Sequence, residues 1–303
     1  MQCTHAILPV AGLGTRFLPW TKAVPKELLP VGNRPMIALL VDECLSVGIT
    51  DICLVISPGK EAIAQYFAPS PTLETLLRLR GKSDVLDELA RYDQVRIEVA
   101  YQHEQRGDGH ALLQAGRRFQ ERDVAVLFGD DYILGEKSGL QQLVQAYDAL
   151  PQDHDCCVLC LEDVPPERIS LYGVVSLDTG WKVRSPDDDP AGRIRKINGL
   201  VEKPPPDFAP SSLGVVGRYI IPAALFRILR DVASVPQDGE IRLIDALNAA
   251  RTSMNIYGCI VDGVRLDTGT PAGYRHAVAA FERRAESATG SLRMPQMASP
   301  AAG

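Results

Sequence analysis

Two glycines one residue apart, with an arginine close behind, form the first chemistry-bearing feature of the chain: Ala11-Gly12-Leu13-Gly14-Thr15-Arg16. They come directly after a short apolar run, Ala6 to Val10, that reads as a strand. Glycines let backbone N–H groups close on a phosphate or a base, and Arg16 adds a charge there. The same spacing suits a plain strand-to-helix turn. It also lacks the third glycine of a dinucleotide fingerprint and the Gly-Lys-Ser/Thr of a P-loop. The next ten residues sharpen the reading. Lys22 and Lys26 lie in the proline-framed run Lys22-Ala-Val-Pro-Lys26-Glu-Leu-Leu-Pro30. Cations on a stiffened, half-apolar segment suit a polyphosphate better than a solvated charged loop. Further along, Asp130 and Asp131 come after a glycine that closes the apolar run Val124 to Leu127. Glu202-Lys203 leads into three prolines, and Asp267 stands between an apolar run and a helical one.

The background composition makes these local charges matter. Of the 303 residues, 46% are apolar and 23% charged, the balance of a globular chain with a sizeable core. Collagenous, disordered and disulfide-scaffold classes are excluded. A net charge of −6 and an isoelectric point near 5.5 argue against a nucleic-acid binder. An anionic ligand must therefore be held by locally placed Lys and Arg. No apolar run is long enough to span a membrane, and the first residues lack the basic start of a signal peptide. The seven cysteines show no framework spacing, so a reducing cytoplasm is expected. Cys157-Val-Leu-Cys160 lies in a run that reads as a buried strand, where residues three apart face opposite ways; these are expected to be core residues, not a metal or redox pair.

The elements that must position the candidate residues alternate. Ile37, Leu40, Val41, Cys44 and Leu45 mark an amphipathic helix ended by Gly48, and Ile52 to Ile56 reads as a strand buried on both faces. Helices are expected over Lys60 to Phe67, Leu73 to Leu79, Asp84 to Arg91 and His110 to Phe119. Strands are expected at Val95 to Tyr101 and Val124 to Leu127. Such alternation predicts a layered α/β sheet, doubly wound in the first half. Beyond it, Tyr172 to Ser176, Ile194 to Val201, Val215 to Ile221 and Asn255 to Val261 read as strands. Ala223 to Leu229, Leu243 to Ala250 and Pro271 to Arg284 read as helices, and Ser185 to Gly192 as a solvated turn.

Gly-Leu-Gly-Thr-Arg-Phe-Leu-Pro, with Pro-Lys-Glu-Leu-Leu-Pro behind it, resembles the signature of the sugar-1-phosphate nucleotidylyltransferases. The closer match is their bacterial UTP–glucose-1-phosphate uridylyltransferase branch. The resemblance runs from about Ala6 to Phe281 through several separated motifs. Gln102 with Gly107-Asp-Gly-His-Ala111 resembles the segment that reads the nucleobase. Phe128-Gly129-Asp130-Asp131 resembles the metal motif, Tyr172-Gly173-Val174-Val175 the sugar loop, and Val201-Glu202-Lys203-Pro204 the sugar-phosphate motif. Ala209 to Tyr219 and Gly239 to Asp245 match the uridylyltransferase branch in particular.

The resemblance implies a Rossmann-like α/β/α nucleotide-diphospho-sugar transferase fold with a mostly parallel mixed sheet. One domain would cover residues 1–286, with a nucleotide-binding half to about 135 and a sugar-phosphate half beyond it; 287–303 reads as a disordered tail. It further implies Mg²⁺-dependent transfer of a uridylyl group from UTP to glucose 1-phosphate, by a cytoplasmic homo-oligomer, dimer or tetramer. Arg16, Lys26 and Lys203 would be the catalytic cations. Ala11, Gly12, Gly14, Gln102 and Gly107 would bind the nucleotide, and Gly173, Glu202, Lys203 and Asp131 the sugar phosphate. Asp130 and Asp267 would hold the metal, although Asp267 also suits a turn or N-cap. The attacking phosphate is already an anion, so no Ser-His-Asp constellation is needed, and none is found.

Departures from the branch bear on specificity. Asp267-Thr-Gly-Thr-Pro resembles thymidylyl- and mannosyl-type relatives, Ala38 replaces a usual Gln, and Asp108 replaces an apolar residue. A sibling enzyme using dTTP or another sugar 1-phosphate is therefore the alternative, ahead of a non-catalytic nucleotide-binding paralogue. His110 is open between a substrate contact and a local hydrogen bond.

Overall fold

The computed structural model describes residues 3–119, 122–151, 155–184, 187, 189, 191–234 and 239–290. The strands are β1 (His5–Pro9), β2 (Pro30–Val31), β3 (Arg34–Pro35), β4 (Asp51–Ile56), β5 (Arg96–Tyr101), β6 (Val124–Leu127), β7 (Asp131–Leu134), β8 (Cys156–Asp163), β9 (Gly173–Leu177), β10 (Ile194–Glu202), β11 (Leu213–Ile221), β12 (Asn255–Ile260) and β13 (Val264–Asp267). The helices are α1 (Met36–Leu45), α2 (Ala62–Gln65), α3 (Pro71–Leu79), α4 (Ser83–Ala90), α5 (Asp108–Ala115), α6 (Gly139–Ala149), α7 (Ala223–Ala233), α8 (Leu243–Ala250) and α9 (Pro271–Gly290).

Nine strands form one sheet in the order β5-β4-β1-β6-β11-β8-β12-β10-β9. The first four are mutually parallel; β1, β4 and β6 are buried apolar runs, as strands covered on both faces require, whereas the edge strand β5 carries Arg96 and Glu98. β11 runs antiparallel to both β6 and β8, β12 parallel to β8, and β10 antiparallel to β12 and β9. The layered α/β architecture with a mixed sheet is thus as expected. One core cluster joins α5, α7 and α8 to one face through Leu112, Phe226 and Leu247. On the other face, Ile37, Leu40 and Val41 of α1 and Ala277 of α9 pack on the first half, and Leu143 and Tyr147 of α6 on the second. Cys157 and Cys160 fall in different clusters, and all seven cysteines are free and buried.

Five elements had no counterpart in the sequence reading: α6, whose Ser138 and Gln141 form a reciprocal capping box, and the pairs β2–β3 and β7–β13. Of the expected tail, 287–290 continue α9 and 291–303 lie outside the described residues. The turn expected at Ser185 to Gly192 lies partly outside them too; within it, Asp189 accepts the N–H groups of Arg193 and Ile194 at 2.8 Å each. Among the described residues, no helix is long and apolar enough to cross a membrane.

A buried ion pair ties the two halves at the sheet centre. Arg218 of β11 donates to Glu43 of α1 at 2.6 Å, each side chain being 1% exposed. The same guanidinium donates to the carbonyls of Phe128 (3.3 Å), Gly217 (3.2 Å) and Asp131 (2.6 Å), and so grips the loop that carries Asp130. Breaking such a pair strands an uncompensated charge. Glu43→Gln should therefore cost about 3–5 kcal/mol of unfolding free energy, read from urea denaturation. A shift of the midpoint too small to resolve would mean that the carbonyls alone satisfy Arg218.

Candidate active site

The parallel strands deliver their carboxyl ends to one edge of the sheet, where open α/β sheets bind ligands. β1 ends there and continues into Ala11, Gly12 and Gly14. β5 ends there and continues into Gln102, whose N–H donates to Ile56 O of β4 at 2.8 Å. β6 ends there and continues into Gly129 and Asp130. A Cβ on Gly129 would stand 2.8 Å from Val10 Cγ1, which explains the glycine: the metal-motif loop passes directly against the end of β1.

The glycine loop and the lysine run fold onto each other. Gly14 has φ +65, and a Cβ there would come within 3.0 Å of Thr21 and 3.7 Å of Lys26 Cβ. Thr21 Oγ1 donates to Gly14 O at 2.8 Å and fixes the turn. Lys26 Nζ then donates to Asp130 Oδ2 at 2.9 Å. Burial opposes the Lys26 charge, but Asp130, Glu27 and Asp131 outweigh it and hold the ammonium above its ordinary range. Burial likewise opposes ionisation of Asp130, and Lys26 overcomes it, holding that carboxyl below its ordinary value. Arg16 Nη1 reaches across to Gly269 O at 3.4 Å.

Asp267 arrives from the other end of the chain. β13 pairs antiparallel with β7 so that Asp267 lies opposite Asp131, and Thr268 N donates to Asp130 O at 2.7 Å. A Cβ on Gly269 would stand 3.0 Å from both Asp130 Oδ2 and Asp267 Oδ1, so those oxygens are no more than twice that distance apart. Only glycine leaves the space between them open. This arrangement fits a hard divalent cation, which takes one or two carboxylates and completes its shell with phosphate oxygens and water. Among the described residues, no cluster of three or more His, Cys, Asp or Glu side chains suits a metal. Asp267 Oδ1 also accepts Gly269 N at 2.8 Å, the turn role that its sequence setting suits.

A second group of expected residues lines a cavity of about 230 Å³: Gly107, Gly173, Glu202 and Lys203. Gly173 is placed where a Cβ would lie 2.9 Å from Ile244 Cδ1 and 3.3 Å from Glu202 Oε2, crowding the carboxylate. Lys203 has φ +46, a left-handed conformation unfavourable for a side-chain-bearing residue, and its N–H donates to Tyr172 O at 2.9 Å. This turn leaves its Nζ exposed beside the cavity, 3.1 Å from Glu202 Oε1. Gly107, φ +100, lies so near Ile241 O that a Cβ would be 2.5 Å from it. Gln102 is buried, and its Nε2 donates to Gly107 O at 3.0 Å.

Several contributors escaped the sequence reading. Lys60 Nζ donates to Val10 O at 2.5 Å and to Gly12 O at 2.9 Å, and so pins the glycine loop from beneath. Its charge faces buried Glu27, 2.8 Å from Oε2, in an ion pair that lacks hydrogen-bond alignment. Asp108, singled out only as a departure, accepts Leu243 N at 2.9 Å and Gly109 N at 2.6 Å, tying the first turns of α5 and α8 together. Asp131, expected on the sugar side, has its carboxylate engaged by Arg265 Nε at 2.7 Å and Gly217 N at 3.1 Å. Arg265 Nη1 also donates to Tyr172 Oη at 2.6 Å. The chain of contacts Asp131–Arg265–Tyr172–Lys203 therefore couples the Gly129–Asp131 loop to the Glu202–Lys203 cavity.

Residues 5–284 match the Nucleotidyl transferase family. The chain belongs to that family. Among its relatives, UTP–glucose-1-phosphate uridylyltransferase YngB of Bacillus subtilis is 36% identical over 269 residues, 88% of this chain and 86% of that one. The UTP–glucose-1-phosphate uridylyltransferase of Mycoplasma pneumoniae is 35% identical, covering 89% of each chain. Among solved structures, a UTP-bound UGPase from Acinetobacter baumannii superposes with a TM-score of 0.82 at 32% identity, over 97% of this chain and 100% of that one. A UDP-glucose pyrophosphorylase complexed with UDP-glucose superposes at 0.76 with 30% identity, over 93% and 99%. As in other nucleotidyl transferases, the chemistry to be explained is an exchange at phosphorus.

Proposed function

We propose that this chain transfers the uridylyl group of UTP to glucose 1-phosphate, giving UDP-glucose and pyrophosphate. One observation carries the reading beyond the family: the cation–carboxylate cluster and the Glu202–Lys203 cavity are separate sites at one sheet edge, linked through Asp131, Arg265 and Tyr172. Two anionic substrates need two cationic seats.

A phosphate oxygen of glucose 1-phosphate forms the new bond to the α-phosphorus of UTP, and the bond to the β-phosphate bridging oxygen breaks. The electron pair leaves with pyrophosphate. No proton has to be removed from the nucleophile, so the protein's work is orientation and charge neutralisation. Arg16 and Lys26 meet the triphosphate, with the N–H groups at Ala11, Gly12 and Gly14 framing the nucleotide, and Gln102 and Gly107 face the base. Lys203 meets the incoming phosphate and Glu202 accepts from sugar hydroxyls, with Gly173 leaving them room. Asp131 serves the sugar side indirectly, by fixing Arg265. Asp130 and Asp267 would hold a divalent cation, Mg²⁺ in this reading, which would neutralise phosphate oxygens. The cytoplasm suits seven free thiols, and the homo-oligomer expected from the resemblance is retained as part of the proposal.

Pyrophosphate release over a grid of UTP, dTTP, CTP and ATP against several sugar 1-phosphates tests the reading. UTP with glucose 1-phosphate should give the highest kcat/KM; a higher value for dTTP or another sugar phosphate would move the chain to the sibling class. Lys203→Ala should lower kcat/KM for glucose 1-phosphate about 10–150-fold, the range set by losing a charge-assisted hydrogen bond. UTP affinity should hold steady, and an equal loss there would reassign Lys203.

A further inference from the structure

Gln102 is 3% exposed, and its amide is held at one atom only. Gly107 O, 3.0 Å away, is a carbonyl and can only accept, so the amide atom facing it is the nitrogen. The second hydrogen of that nitrogen points to His110 Nδ1 at 3.2 Å. The carbonyl oxygen of Gln102 has no hydrogen-bond partner among the described residues and is not sealed from solvent. The amide thus shows the ligand edge an acceptor and no free donor.

His110 lies on α5 with Gln114 one turn later, and Gln114 Nε2 is 3.0 Å from His110 Nε2. Two amide groups therefore meet one imidazole, one at each ring nitrogen. A neutral imidazole accepts at one nitrogen and donates at the other, so only one amide can present its N–H there. Gly107 O decides between them: turning Gln102 would set two carbonyl oxygens against each other, whereas Gln114 has only the longer contact to His110 O, at 3.2 Å. With His110 accepting at Nδ1, its proton lies at Nε2, and Gln114 presents its oxygen there and gives up its contact to His110 O. Burial, aided by Arg106, holds the imidazole below its ordinary pKa against the Glu104 carbonyl and carboxylate, which draw it upward.

We propose that His110 is a positioning residue for base selection: by accepting from Gln102 Nε2, it fixes the Gln102 carbonyl oxygen toward the base. The proposal rests on the reading that Gln102 faces the nucleobase. Uracil offers one N–H at its pairing edge, N3–H, and the oxygen accepts from it. Cytosine has a lone pair at that position, which the same oxygen repels. An amide free to turn would offer its NH₂ to cytosine N3 instead, so discrimination depends on holding the orientation.

The test compares kcat/KM for UTP and CTP in the parent chain and in three variants. His110→Leu removes the acceptor and should lower the UTP:CTP ratio about tenfold or more, moving the KM for glucose 1-phosphate far less. His110→Asn places an oxygen near the Nδ1 position and should restore most of the ratio. A His110→Leu ratio equal to the parent's, or a loss that His110→Asn does not recover, overturns the positioning role. Gln102→Leu separates the layers. If it abolishes discrimination while His110→Leu does not, the base-reading assignment stands and the proposal fails; if it leaves the ratio intact, both fail.

Discussion

Asp130→Asn should lower kcat/KM by about 10³-fold or more, the scale of several kcal/mol of lost charge stabilisation at a metal-assisted phosphoryl centre. The amide keeps the shape of the side chain and removes the charge with which Asp130, beside Asp267, would hold a divalent cation. It also weakens the partner of Lys26, whose Nζ lies 2.9 Å from that oxygen. The loss should appear in turnover with both substrates saturating, and titrating Mg²⁺ upward should recover little of it. Thermal melting should change little, because the Asp130 backbone is held independently by Thr268 N at 2.7 Å. A variant within tenfold of the parent would remove Asp130 from the metal role. Asp267→Asn is the companion: near-parental activity and Mg²⁺ dependence would leave Asp267 as the residue that accepts Gly269 N and nothing more.

The second large effect is expected at Lys26. Lys26→Ala should reduce kcat/KM for UTP by about 10²–10³-fold, the cost of deleting one preorganised donor from a developing phosphate charge. Two features set it apart from a surface lysine. Its stem packs against Gly14, and its head is enclosed by Asp130, Glu27 and Asp131, which keep it protonated. Without it, Asp130 faces an incoming polyanion uncompensated, while Glu27 keeps Lys60 and Asp131 keeps Arg265. Lys26→Arg should rescue poorly, since a planar guanidinium does not fit the space of a compact ammonium beside Gly14. Steady-state kinetics at saturating glucose 1-phosphate decide the point. A change below threefold in Lys26→Ala would hand the triphosphate to Arg16 and the backbone.

The features legible in the sequence are the local ones. The strand–glycine–cation run at Ala11 to Lys26 combines apolar patterning with turn residues, and the structure places it at the sheet edge where patterning predicted. Gly107, Gly173, Glu202 and Lys203 were each legible as part of a short motif, and they meet in one cavity. What the sequence hid depends on pairing over long separations. β7 and β13 span four residues each, too few for periodicity, yet their register is what brings Asp267 beside Asp130. Lys60 looks like a surface lysine in Pro58-Gly59-Lys60-Glu61 until the carbonyls of Val10 and Gly12 are found above it. Asp131 illustrates the same limit from the other side: its motif suggested a sugar contact, and only the fold reveals Arg265 as its partner. Composition cannot announce such partners, because an ion pair is defined by geometry and not by proximity in the chain.

In the proposed mechanism, uridylyl transfer proceeds directly between two bound anions, without a protein nucleophile. Pyrophosphate release from UTP by the purified chain, measured with and without glucose 1-phosphate in the presence of Mg²⁺, tests this most directly. Direct transfer predicts no release, not even a stoichiometric burst, from UTP alone, and one pyrophosphate per UDP-glucose once glucose 1-phosphate is added. A burst without the sugar phosphate, or no UDP-glucose with it, would contradict the account.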